Sequence, residues 1–155
     1  MNLANKIFNI LSEKDFENLA LEIFQYQYKE VKVYQQFCNL LKVNPTNVNS
    51  LNKIPFLPIQ FFKSHKIIAD NKKHKVVFSS SGTTGSILSK HYVHDLQLYK
   101  TGFTKTFNSF MKSSKELTIL ALLPNYLERQ GSSLVFMVNE LIKQSNNINS
   151  GFYLN

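Results

Sequence analysis

Apolar positions recur at helical spacing through the first 43 residues. Leu3, Ile7, Ile10 and Leu11 form a short stripe, and Ser12 with Asp15 then makes an S-x-x-D capping signature. Phe16, Leu19, Ala20, Ile23 and Phe24 carry the period onward. Val31, Tyr34, Phe37, Cys38 and Leu41 continue it until Asn44-Pro45 ends the helical pattern. Beyond Asn44 the pattern changes. Pro55 and Pro58 impose extended backbone, with Pro58 able to open a short helix through Phe62. Residues 66–69 predict a strand turned by Asp70-Asn71, and residues 75–79 a second strand that runs into the loop 79–86. Residues 90–93 predict a third, followed by Asp95 as the cap of a helix striped by Leu96, Tyr99, Phe103, Phe107 and Phe110. The run LTILALL (117–123), stopped by Pro124, predicts a strand covered on both faces. Residues 131–143 predict a helix buried along Leu134, Val135, Val138, Leu141 and Ile142. GFYLN (151–155) begins a further extended element.

This order of elements predicts an α/β fold: N-terminal helices, then strands and helices in alternation. The expectation is a single domain over 1–155, with a helical segment 1–43 and an α/β segment 44–155. The sequence stops inside the element that GFYLN begins, so truncation is expected as well.

Composition narrows the class. At 43% hydrophobic and 13% aromatic, the chain is too rich in core-forming residues to be disordered. Cys38 is the only cysteine, which excludes an intramolecular disulfide and points to a reducing cytoplasm. Its place on an apolar stripe reads as a packed side chain in preference to a nucleophile. No apolar stretch approaches the roughly 20 residues a membrane helix needs, and the N-terminus lacks the layout of a signal peptide. The net charge is +8, yet of the 18 cationic residues only Arg129 is arginine. Nucleic-acid readers lean on arginine for bidentate contacts, and the lysines here cluster only at 72–75 (KKHK). A fixed anion such as a nucleotide, or simple solubility, accounts for the charge better, and no nucleic-acid partner is expected.

The segment SSSGTTGS (79–86) carries the chemistry. A strand entering such a loop offers several hydroxyls, and its glycines let consecutive backbone N–H groups converge on one anion. It is not a Walker A loop, because Gly82 and Gly85 are too close and Ser86 stands where a lysine belongs. A polar turn between strands is the plain alternative to a phosphate site. Lys90, Tyr92 and His94 alternate onto one side of the next strand, either a ligand wall or a solvated face. His91 and His94 fall on opposite faces, which disfavours a shared metal. Glu128-Arg129 is either a surface pair or part of a ligand crevice beyond a strand end.

The motif Ser81-Gly82-Thr83-Thr84-Gly85 resembles the phosphate clamp of the acyl-adenylate-forming enzymes. With IPFLPIQFFKSHKI (54–67), VFSSSGTTG, SKHYVHD (89–95) and LLPNYLERQGSSLVFMV (122–138), the chain is similar to the LuxE-type acyl-protein synthetases from Ile54 to Asn155, and less closely in its helical N-terminus. The resemblance implies part of the large N-terminal domain of such an enzyme. It implies that a carboxylic (fatty) acid attacks the α-phosphate of ATP, giving an acyl-adenylate and pyrophosphate, and that the acyl group passes to a thiol and onward to a reductase. Ser80, Ser81, Gly82, Thr83, Thr84 and Gly85 would hold the departing phosphates, with Mg²⁺ sharing their charge. The superfamily's lysine three residues past the second glycine is Leu88 here, leaving Lys90 to reach the phosphates from the strand. Tyr126 would border the acyl pocket, and the Phe103–Phe110 stripe belongs to the core.

The adenine- and ribose-binding motifs, the lid lysine and the acyl-accepting cysteine of the family have no counterpart in these 155 residues. The chain alone is therefore expected to be inactive, and to dimerise through surface that the missing part would cover. Alternatives are a non-catalytic nucleotide-binding or reductase-docking module, or less favourably a nucleic-acid binder.

Overall fold

Ser12 starts the first long helix as its spacing predicts, its hydroxyl accepting the Asp15 amide at 3.1 Å. The computed structural model describes residues 3–81, 87–124 and 131–154, and these divide into two units, Met1–Lys73 and His74–Asn155. The first unit holds α1 (Leu3–Lys6), α2 (Glu13–Glu30), α3 (Lys32–Leu40), a 3-10 turn at Leu51–Lys53 and α4 (Phe61–Ser64). The predicted helical run breaks at Val31, whose extended backbone caps α2 by donating its N–H to Gln27. α2 then packs on α3 around Phe24, Val31, Tyr34 and Cys38, with Val48 and Ala69 completing the core. Leu11, Phe16 and Leu41 lie at the exposed margins of the predicted stripes, so only part of each stripe is core.

The strand expected at 66–69 does not form. Ala69 is buried in the helical core with Ile67 packed against it, and the Asp70 amide donates to the Glu30 carbonyl at 2.8 Å. The segment's apolar residues thus serve helix packing, and its backbone is tied to the end of α2 where a strand partner would be needed. Pro58 opens a turn, its carbonyl accepting the Phe61 amide, and α4 follows from Phe61.

In the second unit β1 (Val76–Ser79) and β2 (Lys90–Val93) pair antiparallel, with Phe78 opposite His91 and Ser79 opposite Lys90. α5 (Leu96–Phe110) follows, its first turn capped by the Asp95 carboxylate, which accepts the Leu98 amide at 2.9 Å. A 3-10 turn at Ser114–Glu116 leads to β3 (Leu120–Ala121), α6 (Ser133–Ser145) and β4 (Gly151–Phe152). β4 lies parallel to β3, so α6 is the crossover of a β-α-β unit. The core joins Phe78 and Val93 to Phe136 of α6, flanked by Tyr99 and Phe103 of α5. Lys100 pairs with Glu140 at 2.6 Å and binds α5 to α6. The mixed α/β class holds, with strands only two to four residues long.

Three expected burial patterns are corrected. Phe110 is 84% exposed, because α5 leaves the core before its last turn. Leu134 is half exposed, and Val135, Phe136 and Leu141 form the buried face of α6. LTILALL is not covered on both faces. Ala121 points inward, while its neighbours Leu120 (62%) and Leu122 (74%) stand exposed on the other face. The ends of β4 and α6 meet in a polar hub, where Ser145 donates to the hydroxyl of Ser150, which accepts the Ile119 amide.

Candidate phosphate site at the end of β1

The predicted site residues begin where β1 ends. Ser79 stands across from Lys90, on the face that alternation also gives to Val77 and Tyr92. One step further, the Ser80 amide donates to the Ser89 carbonyl and the Ser89 amide donates to the Ser80 hydroxyl, each at 3.1 Å. These two bonds tie the residue after β1 to the residue before β2. Ser80, Ser81 and Lys90 are exposed there. Gly82, Thr83, Thr84 and Gly85 lie outside the described residues, as do Tyr126 and the Glu128-Arg129 pair.

The other edge of β1 meets the approach to α6. The Ser79 amide donates to the carbonyl of Gly131 at 2.9 Å. Gly131 has φ +83°, a conformation that glycine adopts at little cost, and its α-carbon faces the Ser79 side chain closely enough that a Cβ would lie 3.6 Å from Oγ. Ser132 then caps α6, accepting the Val135 amide at 3.3 Å. The first turn of α6, with its unpaired amides and the positive end of the helix dipole, therefore starts two residues past the contact with Ser79. Sequence reading named the hydroxyl loop and the segment after Pro124, and the structure ties the strand that feeds the first to the end of the second. It missed Gly131. The signal was a glycine directly before a Ser-Ser cap and an apolar helical run.

Charge and polarity at this end of the sheet favour anions. Lys90 brings a cation to the Ser79 face. Tyr92 shares that face, its ring edge-on to His74 at 5.4 Å. His94 lies past the end of β2 and does not extend that wall. His91 occupies the inner face, 6.1 Å from the Tyr99 ring. It keeps an exposed edge, yet the atoms packed about the ring disfavour its charged form and lower its pKa. Neutral at pH 7, it can hydrogen-bond without adding charge.

Elsewhere the chemistry is quieter. Cys38 is fully buried, and burial raises its thiol pKa against the opposing hydrogen bond with Tyr34, which fits the packed role over the nucleophilic one. A cleft of about 230 Å³ in the helical unit is lined by Lys6, Asn9, Asp15 and Glu22, and none of the predicted site residues borders it. Among the described residues no group of three or more metal-ligating side chains gathers, and no helix is long and apolar enough to cross a membrane.

Residues 9–116 match the family model described as acyl-protein synthetase, LuxE. The chain belongs to the LuxE acyl-protein synthetase family. In this LuxE chain the matched stretch takes in α2 to α5 and the whole loop 79–86, including most of the helical N-terminus. β3, α6 and Gly131 follow the matched residues. No curated protein and no solved structure matches the chain.

Proposed function

We propose that this LuxE chain holds the phosphates of ATP, with Mg²⁺, at the end of β1. It does so as part of a synthetase that activates a carboxylic (fatty) acid for transfer to a thiol. The observation that carries the reading is the Ser79–Gly131 bond. It sets the strand entering SSSGTTGS beside the N-terminus of α6, with Lys90 across the hairpin. Backbone amides, hydroxyls, a lysine and a helix N-terminus are the donor set that phosphate oxygens match.

Bound ATP supplies the electrophilic α-phosphorus and pyrophosphate as the leaving group. The chain's own groups bind and orient. Ser80 and Ser81, with the amides and hydroxyls of residues 82–85, take the oxygens of the departing phosphates, and Lys90 offsets their charge. Tyr126 borders the acyl pocket. The acceptor is an acyl carrier or a fatty-acid reductase partner, and the setting is cytoplasmic.

Calorimetry with Mg-ATP and with Mg-pyrophosphate tests the phosphate site. Binding is expected, and Gly82→Val should abolish it while leaving the circular dichroism spectrum unchanged. Unaltered affinity in that variant would remove the loop from the site. Acid-dependent ATP–pyrophosphate exchange by the purified chain would show that it is active alone. Tight binding to DNA or RNA that is steeply salt-dependent and indifferent to Gly82→Val would favour the nucleic-acid reading.

Self-association is part of the same proposal. Leu120, Leu122 and Tyr153 stand exposed along the β3–β4 pair, an apolar face that a second copy could cover. Light scattering over a dilution series should show a dimer that Leu122→Lys dissociates. A wild-type monomer at all concentrations would exclude it.

A further inference from the structure

Residues 31–69 carry five lysines and neither aspartate nor glutamate, and all five lysines are exposed. The same stretch of the first unit turns part of its apolar surface outward. Ile54 and Leu57 pack against the core that α2 and α3 share, and the Tyr34 hydroxyl donates to the Pro55 carbonyl at 2.7 Å. With its neighbours held inward, Phe56 projects into solvent at 85% exposure. Helical turns then run over residues 58–64, the carbonyls of Pro58, Ile59 and Gln60 accepting the amides three residues on. The Phe61 ring packs edge-on against Phe37 of α3 at 5.7 Å, while Ile59 stays 69% exposed. Lys53 and Lys63 flank this segment, the second about one turn beyond Ile59. Leu40 and Leu41, one turn beyond Phe37, are exposed as well.

Two apolar tips braced from behind and flanked by lysines suit one kind of surface. Protein interfaces favour arginine and are depleted in lysine, and nucleic acid is gripped best by the arginine fork. Residues 31–69 contain no arginine. A bilayer with anionic headgroups uses what is present. Lysines draw a chain to its negative surface potential, and their long stems keep the ammonium at headgroup level. Protruding apolar side chains enter the boundary between headgroups and acyl chains. Pro55 and Pro58 stiffen the backbone between the tips, so little conformational freedom is lost on insertion. Other exposed apolar residues of the unit lack this setting. Leu11 and Phe16 stand among Glu13, Asp15 and Glu17.

We propose that segment 53–63 docks the first unit on an anionic lipid surface, with Phe56 and Ile59 inserted at the headgroup boundary and Lys53 and Lys63 against the lipid phosphates. The attachment is peripheral and reversible. No nucleotide takes part in it, so its failure would leave the phosphate reading untouched.

The full chain would be sedimented with vesicles of phosphatidylcholine alone and of phosphatidylcholine mixed equally with phosphatidylglycerol. Binding is expected to the anionic vesicles only, weakening as salt is raised. Lys53→Gln and Lys63→Gln should each weaken it about fivefold, and Phe56→Ser at least about tenfold. Leu11→Ser, at least as exposed but outside the segment, should leave it unchanged. The chain contains no tryptophan, so Phe56→Trp reports insertion directly. Its emission should shift to the blue with anionic vesicles and be quenched by lipids brominated on the acyl chains. Circular dichroism checks the fold of each variant. Absence of wild-type binding, equal binding to both vesicles, or an unshifted emission from Phe56→Trp on bound vesicles would each overturn the proposal. A dimer that Phe56→Ser dissociates would assign the segment to a second copy instead. Tighter binding to polyglutamate or to DNA than to anionic vesicles would assign it to an acidic protein or to nucleic acid, and the lipid proposal would fall.

Discussion

The amide of Ser79 and the carbonyl of Gly131 meet at 2.9 Å, where the strand that feeds the hydroxyl loop touches the residue preceding the cap of α6. Gly131 holds φ +83° there, while the nearest atoms to an added Cβ are 3.6 and 3.9 Å away. The space would admit a methyl group, so the cost of a side chain is conformational. Gly131→Ala is expected to lower stability by about 1–2 kcal/mol, the penalty of a left-handed conformation for an ordinary residue. Gly131→Asn should lose less, because asparagine visits that region more readily. Urea denaturation of the two variants decides it, and equal losses would point to something other than backbone strain.

Asp95 offers a second measurement, on local structure. Its carboxylate accepts the Leu98 amide, and α5 starts at the next residue. Asp95→Ala should cost about 1 kcal/mol, and Asp95→Asn much less, since either side chain can cap. The same comparison at Ser12, which caps α2, should give a loss of similar size. Unchanged unfolding midpoints in both alanine variants would mean that packing alone sets the two helix starts.

Two groups make stability depend on pH, in separate windows. Burial alone would raise the Glu140 pKa, but its hydrogen bonds to Lys100 and Lys143 outweigh this and hold the carboxyl below its usual range. Its stabilisation is therefore present above the unfolded value near 4.3 and is lost as pH falls through the depressed folded value. His91 is also lowered, by burial, so the unfolded chain takes up its proton first. That contribution is complete above an unfolded value of about 6.5 and declines as pH falls toward the folded one. Thermal melts from pH 3 to 8 should show both slopes. Glu140→Gln should flatten only the acidic one and His91→Gln only the other; a single variant flattening both would contradict the assignment.

Cys38 should be silent in the native state. The thiol is fully buried and its pKa is raised, so Ellman's reagent at pH 8 should react only at the rate of unfolding and rapidly in urea. Prompt stoichiometric labelling of the folded chain would place the thiol at an accessible surface.

Local rules made several elements legible. Ser12 and Asp95 each start a helix at the predicted residue, because a side-chain oxygen within reach of an amide needs no distant partner. The strands β1 and β2 were equally readable as short β-branched and aromatic runs, whereas their antiparallel pairing came from the structure. The failures required knowledge of partners. Ile67 and Ala69 look like strand residues, but the helical core takes them and Glu30 takes the following amide. LTILALL is apolar enough for a doubly covered strand, while only Leu120–Ala121 enters a ladder and alternate side chains stay exposed. The loop motif was recognisable from composition alone. Gly131 was not, since its value comes from a contact with Ser79 that no spacing rule encodes.

The Ser80–Ser89 clip separates the architecture of the loop from its content. With the two strand ends held by their own bonds, replacing residues 81–88 leaves the scaffold's closure untouched. Lengthening the insert by two residues would add only about 0.2 kcal/mol of closure entropy. The hairpin is thus a socket into which other peptides can be grafted, each presented at the same strand end.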